Sequence, residues 1–594
     1  MGPAPLSRFR LYAPFLALIA VQTMIVAVAP SINPAQQGEQ AAGFEEFQEG
    51  DPADPGEPGT IPEGQDPGFA ADNGEPNLTQ EADAPDAPAT EGTGDDAVPQ
   101  PQDEPRDEST DTDVGADDGD AGVAAAQGDT SHCTEDGRQH DVLATAPQCQ
   151  PVFEGDNGGA TYRGVTEDEI RLLWFVEDEN EQVGALLEAA GTGASVEDQR
   201  AFFDAMEDFL NEHYEFYGRE ITITRHVAEG CPQSPPDIPQ CRAAARAAVE
   251  EFEPAVVVWP TPIYPDVFDE FAREQVITFG GWHVDQEVFR TRRPFRWDLN
   301  MDGTTSMDFV GEYYCNKLAG DNATHAGEVI HPTIGTRGSV ERRLGIVSRE
   351  HEQNVATAQH LRALVAECAG EDPPVVTYDP DLGRRQEQAT TNTANLIDQG
   401  VTTVVCVCDP IHPVFETNAY TRQGYFPEHL VAGIGFLDVE ELARLYDPAQ
   451  WEHAFGLSHV GNPVPHEEST TQTIWEASGR DGEAPCPCGL EASYPLIVGA
   501  MIHNAGPDFN PGTAERGMFQ APDVGAWEEL QDPTQVLVSF SEGDYTAISD
   551  VREIHWDADE ESEADGEQGV YIPLYDGERF TLGNLRTSFD VPEP

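Results

Sequence analysis

The sequence predicts an α/β protein of two hinged lobes, each a parallel sheet flanked by helices, behind a long acidic N-terminal segment. Three observations predict it. From residue 164 onward, short apolar runs alternate with helical runs of period 3.6. The alternation breaks at PFRWDLN (294–300) and restarts at LGIVS (344–348), so there are two lobes rather than one. Long helical patterns then return from about residue 466, which joins the lobes by several crossings into a clamshell.

In the first lobe, GVTEDEIRLLWFV (164–176) reads as strand one. Residues 197–217 then set Phe202, Phe203, Met206, Phe209, Leu210 and Tyr214 at helical spacing. EITITRHV (220–227) is strand two, CRAAARAAVEEF (241–252) a helix, and AVVVW (255–259) strand three. The proline-stiffened loop PTPIYPD follows, then the helix VFDEFARE and the fourth strand VITFG (276–280). A β-α-β-α-β-α-β series implies parallel pairing with right-handed crossovers. The second lobe reads as helix 307–318, LGIVS, helix 352–368, VVTY (375–378), helix 385–399, TTVVCVC (402–408), a helix, and HLVAGIG (429–435). Three strand-like runs close the chain: QVLVSF (535–540), AISDVREIHW (547–556) and VYIPLYDGERF (570–580). They are expected to rejoin the first lobe. The expected boundaries are 1–30 for an export segment, 31–160 for a disordered acidic linker, 161–300 and 466–594 for lobe 1, and 301–465 for lobe 2.

The 594 residues include 110 acidic against 31 basic ones, a net charge of −79. Residues 31–130 hold 27 Asp/Glu and one Arg with few large apolar residues, too little to offset chain entropy. Residues 151–594 still carry −53, so the acidity belongs to the folded part. Nucleic acid and anionic membrane surfaces are excluded as partners by like charge. Such a surface suits a salty medium that screens it, or simply resists aggregation. Lys317 is the sole lysine.

Arg8 and Arg10 precede an apolar run from Leu11 to Ala29. This is an export signal. Ala27-Val28-Ala29 resembles a cleavage site, yet Pro30 follows it and the run approaches the ~20 residues that span a bilayer. A cleaved signal and a retained anchor both remain open, and either places the rest outside the cytoplasm. Ten cysteines agree with an oxidising compartment. Cys133/Cys149 and Cys231/Cys241 read as local disulfides, and Cys315/Cys368 fall on neighbouring helices. Cys406/Cys408 and Cys486/Cys488 form two C-x-C pairs, open to two disulfides or a four-thiolate metal site.

Several stretches resemble the type I extracellular solute-binding proteins, the group that includes branched-chain amino-acid binding components of ABC importers. These are GVTEDEIRL, YGREITI, AVVVWPTPIYPDVFDEFAREQVITF, FRWDLNMDGTTSMDFVGEYYC, RRLGIVSREHEQNVATAQHLR and YTAISDVREIHWD. The likeness spans roughly residues 160–594 and rests on the order of elements. It implies a small polar solute held between the lobes, a permease partner and no cofactor. It implies that Thr261 and backbone NH groups after strand three hold a ligand carboxylate, with Tyr264 beside them. Gly280-Gly281-Trp282-His283 supplies a second contact. The family's aromatic after the second lobe's first strand is replaced by Ser348-Arg349-Glu350-His351. Asp409 and His412, after TTVVCVC, are candidates to receive a ligand cation, and Phe436 walls either core or cleft.

No G-x-S-x-G, H-E-x-x-H, Walker or strand-linked G-x-G-x-x-G motif occurs. The reading is therefore a binding protein rather than an enzyme. A membrane-tethered sensor and a secreted hydrolase are the alternatives.

Overall fold

A computed structural model describes residues 128–178, 180–235, 237–260, 265–281, 283–523 and 536–593. The export segment, most of the acidic linker, and Thr261, Tyr264 and Trp282 lie outside the described residues. No helix among the described residues is long and apolar enough to cross a membrane.

Lobe 1 is built on β1 (Glu169–Asp178), β2 (Glu220–Pro232), β3 (Val256–Val258), β4 (Ile277–Phe279) and β5 (Arg296–Trp297), in the order β2-β1-β3-β4-β5. All four pairings are parallel. Parallel strands are covered on both faces, and the sequence shows it: Leu172, Leu173, Trp174 and Phe175 are consecutive and all buried. The helices α1 (Glu181–Ala189), α2 (Val196–His213), α3 (Ile238–Phe252), α4 (Pro265–Arg273) and α5 (Gln286–Thr291) alternate with these strands. Helix α2 begins where the Ser195 side chain accepts from Asp198 N, and it buries Phe202, Phe203, Met206, Phe209 and Leu210 along one face.

Lobe 2 repeats the same order. After α6 (Gly303–Lys317) and a small hairpin of β6 (Val329–His331) and β7 (Gly335–Thr336) come five parallel strands. They are β8 (Leu344–Arg349), β9 (Val375–Tyr378), β10 (Thr403–Val407), β11 (Glu428–Ala432) and β12 (Ala454–Ser458), lying as β9-β8-β10-β11-β12. Helices α7 (Glu352–Ala369), α8 (Leu382–Asp398) and α9 (His412–Gln423) connect them. The chain then returns to lobe 1 through α10 (Thr470–Ala477), α11 (Gly489–Ala505) and α12 (Pro511–Gln520). Ile474, Tyr494, Val498, Met501 and Ala514 from these helices share one core with Phe203, Phe209 and Val256.

Two expectations need correction. The closing strands do not rejoin lobe 1: β13 (Asp550–Glu561) pairs antiparallel with β12, and β14 (Gln568–Pro573) and β15 (Arg579–Thr581) pair with β13. Only the turn before them packs on lobe 1, through Phe540, Tyr545 and Ala547. Nor does the linker run to residue 160. The Cys133–Cys149 bridge closes a loop whose Leu143 and Ala146 enter the lobe 1 core. His503 Nε2 donates to Gln148 O at 2.8 Å, and Arg219 Nη2 donates to Asn157 O at 2.6 Å. A few apolar side chains and one bridge are enough to hold this short segment down.

The lobes are linked by three crossings, at residues 298–303, 458–466 and 540–550. The first and third run side by side, with Asp298 N donating to Tyr545 O (3.0 Å) and Ala547 N to Asp298 O (3.1 Å).

The sole lysine of the chain, Lys317 at the end of α6, is buried against β13, where Nζ donates to both oxygens of Glu553 at 2.6 Å. Removing one partner leaves the other charge buried and unpaired. Glu553→Ala is expected to destabilise lobe 2 by about 3–5 kcal/mol, whereas a well-packed Lys317→Met/Glu553→Leu double variant costs little. Urea unfolding of the two variants checks this.

Candidate ligand-binding cleft

In open α/β sheets, ligand-facing loops follow the carboxyl ends of the strands. Here the two sets of such loops meet. Leu382 N, after β9, donates to Ser234 Oγ, after β2, at 3.0 Å. His283, after β4, faces His459, after β12, with ring centroids 5.7 Å apart. Gly303, entering lobe 2, is wedged so tightly that a Cβ would sit 2.2 Å from His283 O and 2.7 Å from Thr357 Oγ1. The C-terminal edges of both sheets therefore face one another across a closed junction.

His283 has a left-handed backbone (φ 56°) and is buried. Its Nδ1 lies 2.8 Å from Met301 O. A carbonyl only accepts, so Nδ1 carries the proton and Nε2 presents a lone pair, for which no hydrogen-bond partner is found among the described residues. Burial, helped by the neighbouring His459 ring, pushes its pKa down to about 3. His459 is likewise buried, with burial and then the Arg579 charge pushing it to about 3, and neither ring nitrogen has a hydrogen-bond partner. Asp438 anchors this loop: Oδ2 accepts from His459 N (2.8 Å) and Val460 N (3.3 Å), while its buried Oδ1 has no hydrogen-bond partner.

The other residues singled out in the sequence take varied positions. Glu350 is exposed beside the cleft, its backbone N donating to Tyr378 O. His351 caps α7, accepting from Gln353 N at 3.4 Å. Phe436 is half-buried with φ 59° on the turn after β11, which is pressed onto the end of β10. At Gly435 in that turn, a Cβ would come within 2.1 Å of Cys408 O. Asp409 is buried with both oxygens already engaged. Oδ2 accepts from Tyr378 OH at 2.7 Å; Oδ1 accepts from Arg385 Nη1 at 2.6 Å and from the Ile411 and His412 NH groups at 3.1 Å. Burial alone would raise its pKa, but the Arg385 charge and hydrogen bond hold it well below the carboxylate range. His412 lies flat on Tyr378, centroids 3.4 Å apart at 3°, inside lobe 2. Asp409, Arg385, Tyr378 and His412 thus form an internal support for the loop rather than its ligand-facing surface.

Sequence reasoning passed over His459 and Asp438 and met Arg349 only as part of the Ser348–His351 stretch. His459 directly follows AFGLS, whose five buried residues form β12, so the strand-end rule that singled out His283 also reaches it. Arg349 ends β8 where the resembled family carries an aromatic; its Nε and Nη2 donate to Asn354 Oδ1 at 3.1 and 3.0 Å. All ten cysteines are paired, and Cys406–Cys408 and Cys486–Cys488 are each closed within their own lobe, so no four-thiolate site forms and no bridge spans the cleft.

No family model matches the chain, and no curated protein matches it in sequence. Among solved structures it is similar to an ABC transporter substrate-binding protein from Aeropyrum pernix (12% identity over 70% of this chain and 96% of that one, TM-score 0.46). It is also similar to a leucine-, isoleucine-, valine-, threonine- and alanine-binding protein from Brucella ovis in its closed conformation (12%, 72% and 99%, TM-score 0.47). A fatty acid ABC transporter substrate-binding protein from Thermomonospora curvata is similar to the same degree (12%, 70% and 94%, TM-score 0.46).

The histidine pair contributes to a pH dependence that the buried His412 and His429, also held near 3 by burial, share. Both rings of the pair sit near 3 in the closed junction, below the ordinary 6.5, so the opened or unfolded chain takes up protons first as pH falls. Their contribution is intact above pH ~6.5 and is lost progressively toward pH ~3, amounting to about 2 kcal/mol per ring at pH 5. The charged groups beside them are Asp438 near His283 and Arg579 near His459. The melting temperature is expected to fall between pH 8 and pH 5, and His459→Phe to flatten that fall. Equal slopes in the two proteins would show that the pair does not carry the effect.

Proposed function

We propose that the chain is an extracellular solute-binding protein of the type I clamshell class, capturing a small polar, amino-acid-like solute between its lobes for an ABC importer permease. One observation carries this reading. Two sheets whose five parallel strands follow the same order are joined by three crossings so that their strand ends confront each other, which is an arrangement for burying a small molecule on closure. His283 Nε2 from lobe 1 and Asp438 Oδ1 from lobe 2 offer acceptors to the donor groups of such a solute. The five disulfides support folding outside the reducing cytoplasm. The Leu11–Ala29 run, as signal or anchor, supports the same location.

A thermal-shift screen in high salt over amino acids, amides, polyamines and small organic acids tests the reading. A solute at 100 times its Kd stabilises the folded chain by ~2.7 kcal/mol. The expected result is a shift from one chemical class, accompanied by compaction in small-angle scattering and diminished in both His283→Ala and Asp438→Asn. A broad screen in which nothing shifts the melting point would overturn the proposal.

A further inference from the structure

The Cys406–Cys408 bridge is a poor staple. It joins Cys406 on β10 to Cys408, one residue past the strand's end, so it closes almost no loop and restrains the unfolded chain far less than Cys315–Cys368, which spans 53 positions. Residues two apart on a strand share a face, and this face looks onto α9. There Glu416 brings Oε2 to 3.7 Å from Cys406 Sγ, and both sulfurs and a Glu416 oxygen lie within 4.8 Å of one another.

The carboxylate is otherwise hard to account for. Glu416 is 3% exposed with the Tyr420 hydroxyl beside it, and its Oε1 finds no well-aligned hydrogen-bond partner among the described residues. Burial pushes its pKa up to about 8. One turn earlier on α9, His412 Nε2 lies 3.8 Å from Glu416 Oε2, and neither His412 ring nitrogen has a hydrogen-bond partner. A cavity lined by Cys406, Glu416, Tyr420 and His429 adjoins the group, leaving room for a further ligand. Among the described residues no comparable grouping surrounds Cys486 and Cys488, although their spacing is identical. Two sulfurs and a carboxylate at this separation suit a thiophilic divalent cation, with an imidazole alongside.

We propose that Cys406, Cys408 and Glu416 form a zinc-class metal site inside lobe 2 that the disulfide holds closed and reduction opens. A dithiol supplies the two electrons and two protons that convert the bridge to two thiols, and is itself closed to a cyclic disulfide. The cation then displaces both thiol protons and the Glu416 carboxyl proton, and bonds two thiolates and the Glu416 carboxylate. The −3 charge of these ligands is reduced to −1 by the metal, which holds the Glu416 group ionised inside the lobe. The site lies within one lobe and is independent of whatever the cleft holds.

The test uses the full chain, treated with a dithiol and freed of it without air, and then titrated with Cd²⁺ or Co²⁺ alone. The expected result is one equivalent bound with a thiolate charge-transfer band, and protection of Cys406 and Cys408 from alkylation in peptide mapping. Cys406→Ser abolishes the band. Glu416→Gln, nearly isosteric and so expected to fold, weakens binding at least tenfold. A Cys486→Ser/Cys488→Ser variant binds as the parent does. Binding equal before and after reduction, binding unchanged in Glu416→Gln, or protection at Cys486 and Cys488 instead would each overturn the proposal.

Discussion

The arrangement of the lobes depends on how the crossings are tied where they run together. Asp298 is fully buried there; its backbone pairs with the third crossing, and its Oδ1 accepts from Tyr494 OH of lobe 1 at 2.9 Å and from Asn300 N at 3.2 Å. Arg579 of lobe 2 does the corresponding work for the second crossing. Its Nε donates to Asp550 Oδ1, and its two Nη groups donate to Val460 O and His459 O, all at 2.9 Å. A buried charge stripped of partners is far costlier than one kept with them, so this edge of the junction is held in place. By contrast, the cleft edge is closed by the Leu382–Ser234 hydrogen bond. One stiff edge and one weakly held edge are what a hinge requires.

The same scarcity of cations shapes the interior. With 31 Lys and Arg against 110 acids, each buried cation matters. Lys317–Glu553, Arg342–Glu428 and Arg385–Asp409 are buried pairs that place three of these cations inside lobe 2, each with its own carboxylate. Long-range repulsion on the surface falls as salt shortens the Debye length, whereas the buried pairs are screened much less. Low salt should therefore loosen the exposed loops before it disturbs the crossings.

Much of this was legible in the sequence, because helical and strand periods are local properties. Val256–Val258 and Leu344–Arg349 announce buried parallel strands through unbroken apolar character, and Phe202 to Leu210 announce a helix face. Partner choice is not local. Alternation in AISDVREIHW marks a strand but does not tell which sheet edge it joins, and β13 joins β12 across more than 90 residues of chain. The cleft divides in the same way. The rule that loops follow strand ends located His283, whereas the fate of Asp409 depended on Tyr378 and Arg385, contributed by β9 and α8.

This division bears on what a solute must do to close the lobes. Only a difference in affinity between open and closed states shifts the equilibrium. A solute meeting one lobe alone binds both states alike and moves nothing, however tightly it binds. His283 Nε2 and Asp438 Oδ1 stand on opposite lobes, and both are acceptors. A molecule with donor groups reaching both gains the second contact only when the junction is shut. Protonating His283 removes its acceptor, and protonating His459 adds a positive charge near Arg579, so under the proposed reading the step that weakens closure would also weaken the hold on a solute.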